Sequence, residues 1–247
     1  MATAGKIIPV NNEEALSVPT KIAAKKLSVG GVIAVPTDTI YGIAGSAQND
    51  QAVGRIYKIK KRNPLKPIAI SIADVTDVQK WGVLTVPINL LCDLLPGPVT
   101  LVFERTPLLN PRLNPDTKLV GIRIPDHKFV RMLAKAIGGP LALTSANVSD
   151  QQSTLSIQEF ENLWPKLDLI CDGGTIESCT CSRQGSTVID LSVPGKFKVL
   201  RDGSAYRETI MVLKDKYSLE EVVLCLALLS CSLSLPDGLL SILHLYM

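Results

Sequence analysis

The residues best placed to do chemistry are concentrated between Val32 and Arg62. The apolar run Val32-Ile33-Ala34-Val35 meets Pro36 and breaks into Thr37-Asp38-Thr39, a turn dense in hydroxyls. Further on, Arg55 to Lys66 holds six basic residues and no acidic one. Hydroxyls at a strand end and cations at a helix end suit a polyanion held beside a small polar substrate. The plainer alternative is a tight turn and a solvated basic helix face, and residue types alone weigh the two about evenly. Two more clusters stand out. Arg123 interrupts the apolar run Val120 to Ile124, where a charge needs either an exposed face or a bound anion. Thr144-Ser145-Ala146-Asn147 closes another short apolar run.

The elements that would carry these residues follow from periodicity and punctuation. Lys6 to Val10 reads as a first strand, and Asn12 to Ser28 as a helix started or kinked by Pro19 and closed by Gly30-Gly31. Val32 to Val35 is a buried strand. Asp50 caps a helix through Ile56 and Ile59, which Asn63-Pro64 stops. Strands are expected at Pro67 to Ile72, Val99 to Glu104, Leu119 to Pro125, Leu141 to Leu143, Leu169 to Cys171, Ser186 to Leu191 and Phe197 to Leu200. Helices fill Asp74 to Trp81, Ile88 to Leu95 and His127 to Ile137. A capping box of Ser156 and Glu159 opens another into Leu163, and the chain is helical again from Ser204. The Pro- and Asn-rich loop Thr106 to Thr117 is long enough to be functional. Strands alternating with helices mean an α/β domain with a mixed sheet. Thr37 to Thr39, Arg123 and Ser145 to Asn147 all fall at strand ends, where open α/β sheets bind ligands.

Composition narrows the function. The chain has 247 residues, 46% hydrophobic and 20% charged, enough for a sizeable core. A net charge of +3 is too small for a whole-surface nucleic-acid footprint, so any basic site is local. Aromatics at 4% argue against a stacking platform for single strands. The six cysteines include one C-x-C pair and no C-x-x-C, with only His127 and His244 beside them, so no protein-held metal is expected. Met1 to Gly5 does not read as a secretory signal, and reduced thiols in a cytosolic protein are the default. Val222 to Leu235 is an uncharged run of fourteen residues. That is short of the roughly 20 needed for a membrane span, so no stable span is expected.

Six motifs occur in order: Pro36 to Gly42, Lys60-Lys61-Arg62, Pro96 to Thr100, Gly121 to Pro125, Thr144 to Asn147 and Gly185 to Val188. Together they resemble the YrdC family, the threonylcarbamoyl-AMP synthases, and the likeness is strongest to animal members. The resemblance implies one α/β domain over residues 12–217, with a twisted mixed parallel and antiparallel sheet and a concave, positively charged cavity. Residues 218–247 form an apolar extension that it does not cover. The implied reaction joins L-threonine, bicarbonate or CO2, and ATP into threonylcarbamoyl-adenylate, releasing pyrophosphate. That product feeds N6-threonylcarbamoyladenosine formation at position 37 of tRNA through a transferase complex. Mg2+ would ride on the ATP phosphates rather than in a protein cage.

By the same resemblance, Lys60 and Arg62 are the catalytic pair on the phosphates and on the carbonate-derived carboxylate. Thr39, Arg123 and Ser145 hold L-threonine, the guanidinium on its carboxylate. Asn147, Ser186 and Arg201 join Lys60 and Arg62 around the nucleotide, and Tyr41 either lines the pocket or packs in the core. Ser149-Asp150 departs from the family pattern, in which glycine commonly follows the serine, so the local turn can differ. The location implied is cytoplasmic, with mitochondria as the alternative. Two other functions stay open: a module binding double-stranded RNA or tRNA without turnover, and a carbamoyl-transfer module like the YrdC-like domain of hydrogenase maturation proteins.

Overall fold

The computed structural model describes residues 6–61, 66–149, 151–177 and 183–222. Twelve strands form one mixed sheet: β1 (Ile7–Pro9), β2 (Val32–Val35), β3 (Gly42–Ser46), β4 (Ala69–Ser71), β5 (Gly82–Val83), β6 (Val99–Arg105), β7 (Leu119–Arg123), β8 (Leu141–Ser145), β9 (Leu169–Asp172), β10 (Thr187–Asp190), β11 (Lys196–Arg201) and β12 (Glu220–Glu221). Their order is β1-β9-β2-β3-β8-β4-β7-β6-β10-β11-β12, with β5 added beside β6. Parallel pairs such as β9–β2, β4–β7 and β6–β10 alternate with antiparallel ones such as β2–β3, β3–β8 and β7–β6. This is the mixed α/β sheet expected. It runs past residues 12 and 217 at both ends, because Ile7–Pro9 pairs with β9 and Glu220–Glu221 with β11. The apolar tail from residue 223 lies outside the described residues, as does Asp150.

Both faces of the sheet are covered, which explains the unbroken apolar run of β2. Val32 and Ala34 face one core cluster with Ile56, while Ile33 and Val35 face another with Leu27, Phe129 and Leu133. Helices α1 (Ser17–Ser28) and α5 (Lys128–Ile137) cover the second face, and α2 (Asp50–Lys60) lies on the first. The other α-helices among the described residues are the short α3 (Val78–Trp81), α4 (Ile88–Leu94) and α6 (Tyr206–Met211). Some local expectations needed correction. Asn49, not Asp50, caps α2, its Oδ1 accepting from Ala52 N at 3.0 Å. That leaves the Asp50 carboxylate to pair with Arg112 at 3.0 Å. Helix α2 also ends before Asn63-Pro64. Lys61 takes the left-handed conformation (φ 48°), and Ser149 N and Oγ cap the Lys60 carbonyl at 3.2 and 3.1 Å. Ser156 makes no side-chain cap for the 3-10 segment Ile157–Lys166, and the Glu159 carboxylate instead accepts from Arg183.

Strand β3 had no signature of its own, since Gly-Ile-Ala-Gly-Ser is poor in the branched residues that mark strands. Its glycines answer a demand for space. A Cβ on Gly45 would stand 3.1 Å from both Ala52 Cβ and Ile56 Cδ1, so α2 lies almost directly on the strand's backbone. That close approach sets the depth at which α2 delivers Lys60.

Candidate active site

The turn after β2, the ends of β7 and β8 and the antiparallel pair β10–β11 surround one cavity. Val35 ends β2, and the next residues fold into a knot of hydroxyls around Thr37. Thr37 Oγ1 donates to Ile40 O at 2.7 Å and accepts from Thr39 N and Ile40 N, each at 3.2 Å. Thr39 Oγ1 lies 3.2 Å from the Thr37 hydroxyl and accepts from Arg123 Nη2 at 2.9 Å. The same Nη2 forms an ion pair with Asp38 Oδ1, whose other oxygen accepts from Asp126 N at 3.1 Å. Arg123 is 8% exposed and its Nε is buried without a hydrogen-bond partner. A buried N–H of this kind is costly unless an acceptor arrives. The alternatives raised by Arg123's sequence position, an exposed face or an anion, thus reduce to a buried guanidinium with a donor to spare.

Lys60 is 1% exposed. Its ammonium donates to Asn147 O at 2.5 Å, Ser145 O at 2.7 Å, Asn147 Oδ1 at 2.8 Å and Ser145 Oγ at 3.1 Å. The α2 terminus therefore clamps the turn that closes β8. Across the site, Ser186 Oγ lies 2.8 Å from Thr100 Oγ1, while Arg201 donates to Ser186 O through Nε at 3.0 Å and Nη2 at 2.8 Å. Arg201 Nη2 also reaches Ser186 Oγ at 3.0 Å. The Tyr41 side chain packs in the core and its hydroxyl faces the adjacent loop, accepting from Gly173 N at 2.9 Å and donating to Gly174 O at 2.7 Å. Burial pushes its pKa up to about 12, so it stays a neutral donor.

A cavity of about 140 Å³ lies between these groups. Arg123, Ser145, Ser186 and Arg201 line it directly, with no carboxylate among the described lining residues. Thr39 braces Arg123, and Lys60 ties Ser145 to Asn147. Seven of the eight residues selected from sequence therefore converge: Thr39, Lys60, Arg123, Ser145, Asn147, Ser186 and Arg201. Arg62 lies outside the described residues. A larger groove of about 920 Å³ runs along α5 between mixed charges such as Asp74, Lys80 and Arg131, and it includes none of the selected residues. Chemistry, not size, identifies the smaller cavity as the candidate site.

The sequence marks Thr37 and Asp38 as part of a polar strand-end cluster without giving either a role, and gives Thr100 none. Asp38 had a signal: an arginine on a buried strand needs a counter-charge, and the hydroxyl-rich turn contains one carboxylate. Thr100 had none, because its role depends on β6 and β10 pairing in parallel register. Among the described residues no group of three or more His, Cys, Asp or Glu could hold a metal ion, and no helix is long and apolar enough to cross a membrane.

Comparison with known proteins agrees with the geometry. Residues 25–203 match the Sua5/YciO/YrdC family model, described as "Telomere recombination". The chain is 53% identical over 202 residues to the threonylcarbamoyl-AMP synthase of Mus musculus, covering 81% of this chain and 72% of the mouse protein. Among solved structures it is similar to P. abyssi Sua5 complexed with L-threonine, with a TM-score of 0.75 and 29% identity. That match covers 87% of this chain but only 62% of the P. abyssi chain. Full-length HypF shares the fold alone, at 22% identity and a TM-score of 0.63 over 28% of its length. The chain belongs to the Sua5/YciO/YrdC family.

Proposed function

We propose that this chain is a threonylcarbamoyl-AMP synthase, joining L-threonine, bicarbonate or CO2, and MgATP with release of pyrophosphate. One observation carries the reading: residues from separate segments put a buried guanidinium with an unused N–H at one side of a cavity and the Ser186–Arg201 pair at another. The first suits an amino-acid carboxylate, with Thr39 holding the guanidinium in place and Ser145 offering a hydroxyl to the substrate's amine or side chain. The second suits a nucleotide phosphate. At about 140 Å³ the cavity is small beside the roughly 300–1,000 Å³ of ordinary ligand pockets, so the nucleotide has to extend beyond it.

The chemistry asks for orientation and charge neutralisation. Threonine's amine forms the carbamate, and a carbamate oxygen attacks the α-phosphorus as pyrophosphate leaves. Arg201, Lys60 and Arg62 supply positive charge around the phosphates. Lys60 does so at one remove, because its ammonium is committed to the turn that presents Ser145 and Asn147. Magnesium arrives on the nucleotide, since Asp38 is already bound to Arg123 and Asp126 N. The labile adenylate is then handed to a tRNA-modifying transferase complex. Direct RNA contact is the weaker reading, because Arg55 and Lys60 of the basic stretch are spent inside the fold on Asp168 and on the Ser145–Asn147 turn.

The test is pyrophosphate release from ATP, magnesium and bicarbonate, with and without L-threonine. Threonine-dependent release, lost in Lys60→Ala and Arg123→Ala, is the expected result. Release that ignores threonine in folded protein would defeat the assignment.

A further inference from the structure

The Pro- and Asn-rich loop between β6 and β7 touches no part of the cavity, yet more polar contacts are invested in it than its place on the surface requires. Arg105 donates to the carbonyls of Leu109 (3.0 Å), Asn110 (2.6 Å) and Leu113 (2.5 Å). Gln48 and Asp50, at the start of α2, hold Leu108 O and Asn110 Nδ2 at 2.8 and 2.9 Å. At the end of the loop stands Asn114, 2% exposed and in the left-handed region at φ 53°. Its amide makes the pair of bonds that a neighbouring strand would make to Ile68: Oδ1 accepts from Ile68 N at 2.7 Å, and Nδ2 donates to Ile68 O at 2.9 Å. The same Oδ1 accepts from Tyr57 Oη at 3.0 Å.

Those partners bracket the site. Tyr57 lies one turn before Lys60 on α2, and Ile68 is a cavity-lining residue immediately ahead of β4. Only an amide can serve both. A carboxylate cannot donate to Ile68 O, and an apolar side chain would strand a buried N–H and carbonyl. We propose that Asn114 is a positioning residue that fixes the α2 terminus carrying Lys60 relative to the Pro67–Ile70 cavity wall, and so sets nucleotide affinity. The proposal rests on the synthase reading for the identity of the nucleotide. Arg123 is held by the Thr37 knot and Asp38, which Asn114 does not touch, so threonine affinity depends on Asn114 only through Ser145 and falls less than nucleotide affinity.

The experiment uses the full chain and measures equilibrium binding of a non-hydrolysable ATP analogue with magnesium, and of L-threonine, by calorimetry. Asn114→Gly deletes the clamp while accepting the positive φ, Asn114→Asp keeps the acceptor and loses the donor, and Tyr57→Phe removes one bond. The ATP analogue should bind Asn114→Gly about tenfold or more weakly, with Asn114→Asp and Tyr57→Phe intermediate and threonine binding weakened by a clearly smaller factor throughout. Wild-type analogue affinity in folded Asn114→Gly would overturn the proposal, as would equal loss for both ligands. If Asn114→Gly does not fold, unchanged analogue affinity in Tyr57→Phe overturns it instead. A wild type that binds the analogue but shows no threonine-dependent turnover defeats the synthase reading and leaves the role of Asn114 standing.

Discussion

At the scale of single residues, the site is governed by how two buried cations are neutralised. Lys60 donates to four oxygens of the turn that closes β8, whereas Arg123 has the Asp38 carboxylate. The Arg123–Asp38 side chains are 9% and 11% exposed, so water does little to screen either charge. Removing one partner of such a pair leaves the other charged and unpaired, at about 3–5 kcal/mol. Asp38→Ala should therefore cost roughly that much in urea denaturation, and threonine affinity should fall because the guanidinium loses its anchor. Arg123→Ala leaves the Asp38 carboxylate its bond from the Asp126 amide but no counter-charge, and should cost a similar amount. In the double variant no unpaired cation remains. Its loss should fall short of the sum of the singles by more than about 1 kcal/mol. Strict additivity would show that the pair is not coupled. The sequence discloses Arg123 because a charge on an apolar strand is conspicuous, and it offers Asp38 as the one carboxylate of the hydroxyl-rich turn, but only the fold shows that the two pair.

Elements depend on how closely backbones approach, and this is where sequence patterns were least informative. β2, β6 and β7 announced themselves through branched residues, while β3 is built from small ones and was missed. Strand formers here would have been too bulky: Gly45 sits under Ala52 and Ile56. The tighter case is Gly203, just after β11. A Cβ there would lie 2.3 Å from Ser186 C and Thr187 N and 2.4 Å from Ser186 O, all backbone atoms. A terminal methyl such as Ile56 Cδ1 can swing aside, but a peptide plane within a β-ladder cannot. Gly203→Ala should therefore cost about 3 kcal/mol or prevent folding, whereas Gly45→Ala should cost about 1 kcal/mol. If Gly203→Ala folds, it should also lose ATP-analogue affinity, because prying Gly203 from Ser186 disturbs the Arg201–Ser186 bonds. Equal denaturation midpoints for the two variants would contradict this ranking.

For the molecule as a whole, the sheet order matters most, and it was the least legible feature. The sequence located strands but not that β9 inserts between β1 and β2, or that β8 and β4 follow β3, and those placements bring Ser145 to Lys60. Long-range polar ties hold this arrangement; one that titrates is made by Asp168, and the buried His127 imidazole titrates as well. Asp168 on the approach to β9 accepts from Val32 N at 2.7 Å and pairs with Arg55 at 2.7 Å. Burial pushes its pKa up, but the amide and the guanidinium outweigh that and hold it below the ordinary 3.8. His127, the one histidine among the described residues, leads into α5. Burial pushes its pKa below 6.5 despite the nearby carboxylates of Asp38, Glu13 and Asp126. Both groups bind a proton more readily in the unfolded chain than in the fold, so each lowers stability as pH falls, in separate windows. The His127 contribution is intact above about 6.5 and is lost as pH drops through its lower folded value; that of Asp168 is intact above about 3.8 and is lost below it. Thermal melts from pH 8 to pH 3 should therefore show one decline beginning near 6.5 and a second below 3.8. His127→Asn should flatten the first and spare the second, and Asp168→Asn should lower stability at neutral pH while making the second shallower, because Asp74, Asp93 and Glu159 are also held low in the fold. A His127→Asn protein that still loses stability from pH 6.5 downward as steeply as wild type would mean that the acid sensitivity arises elsewhere in the fold.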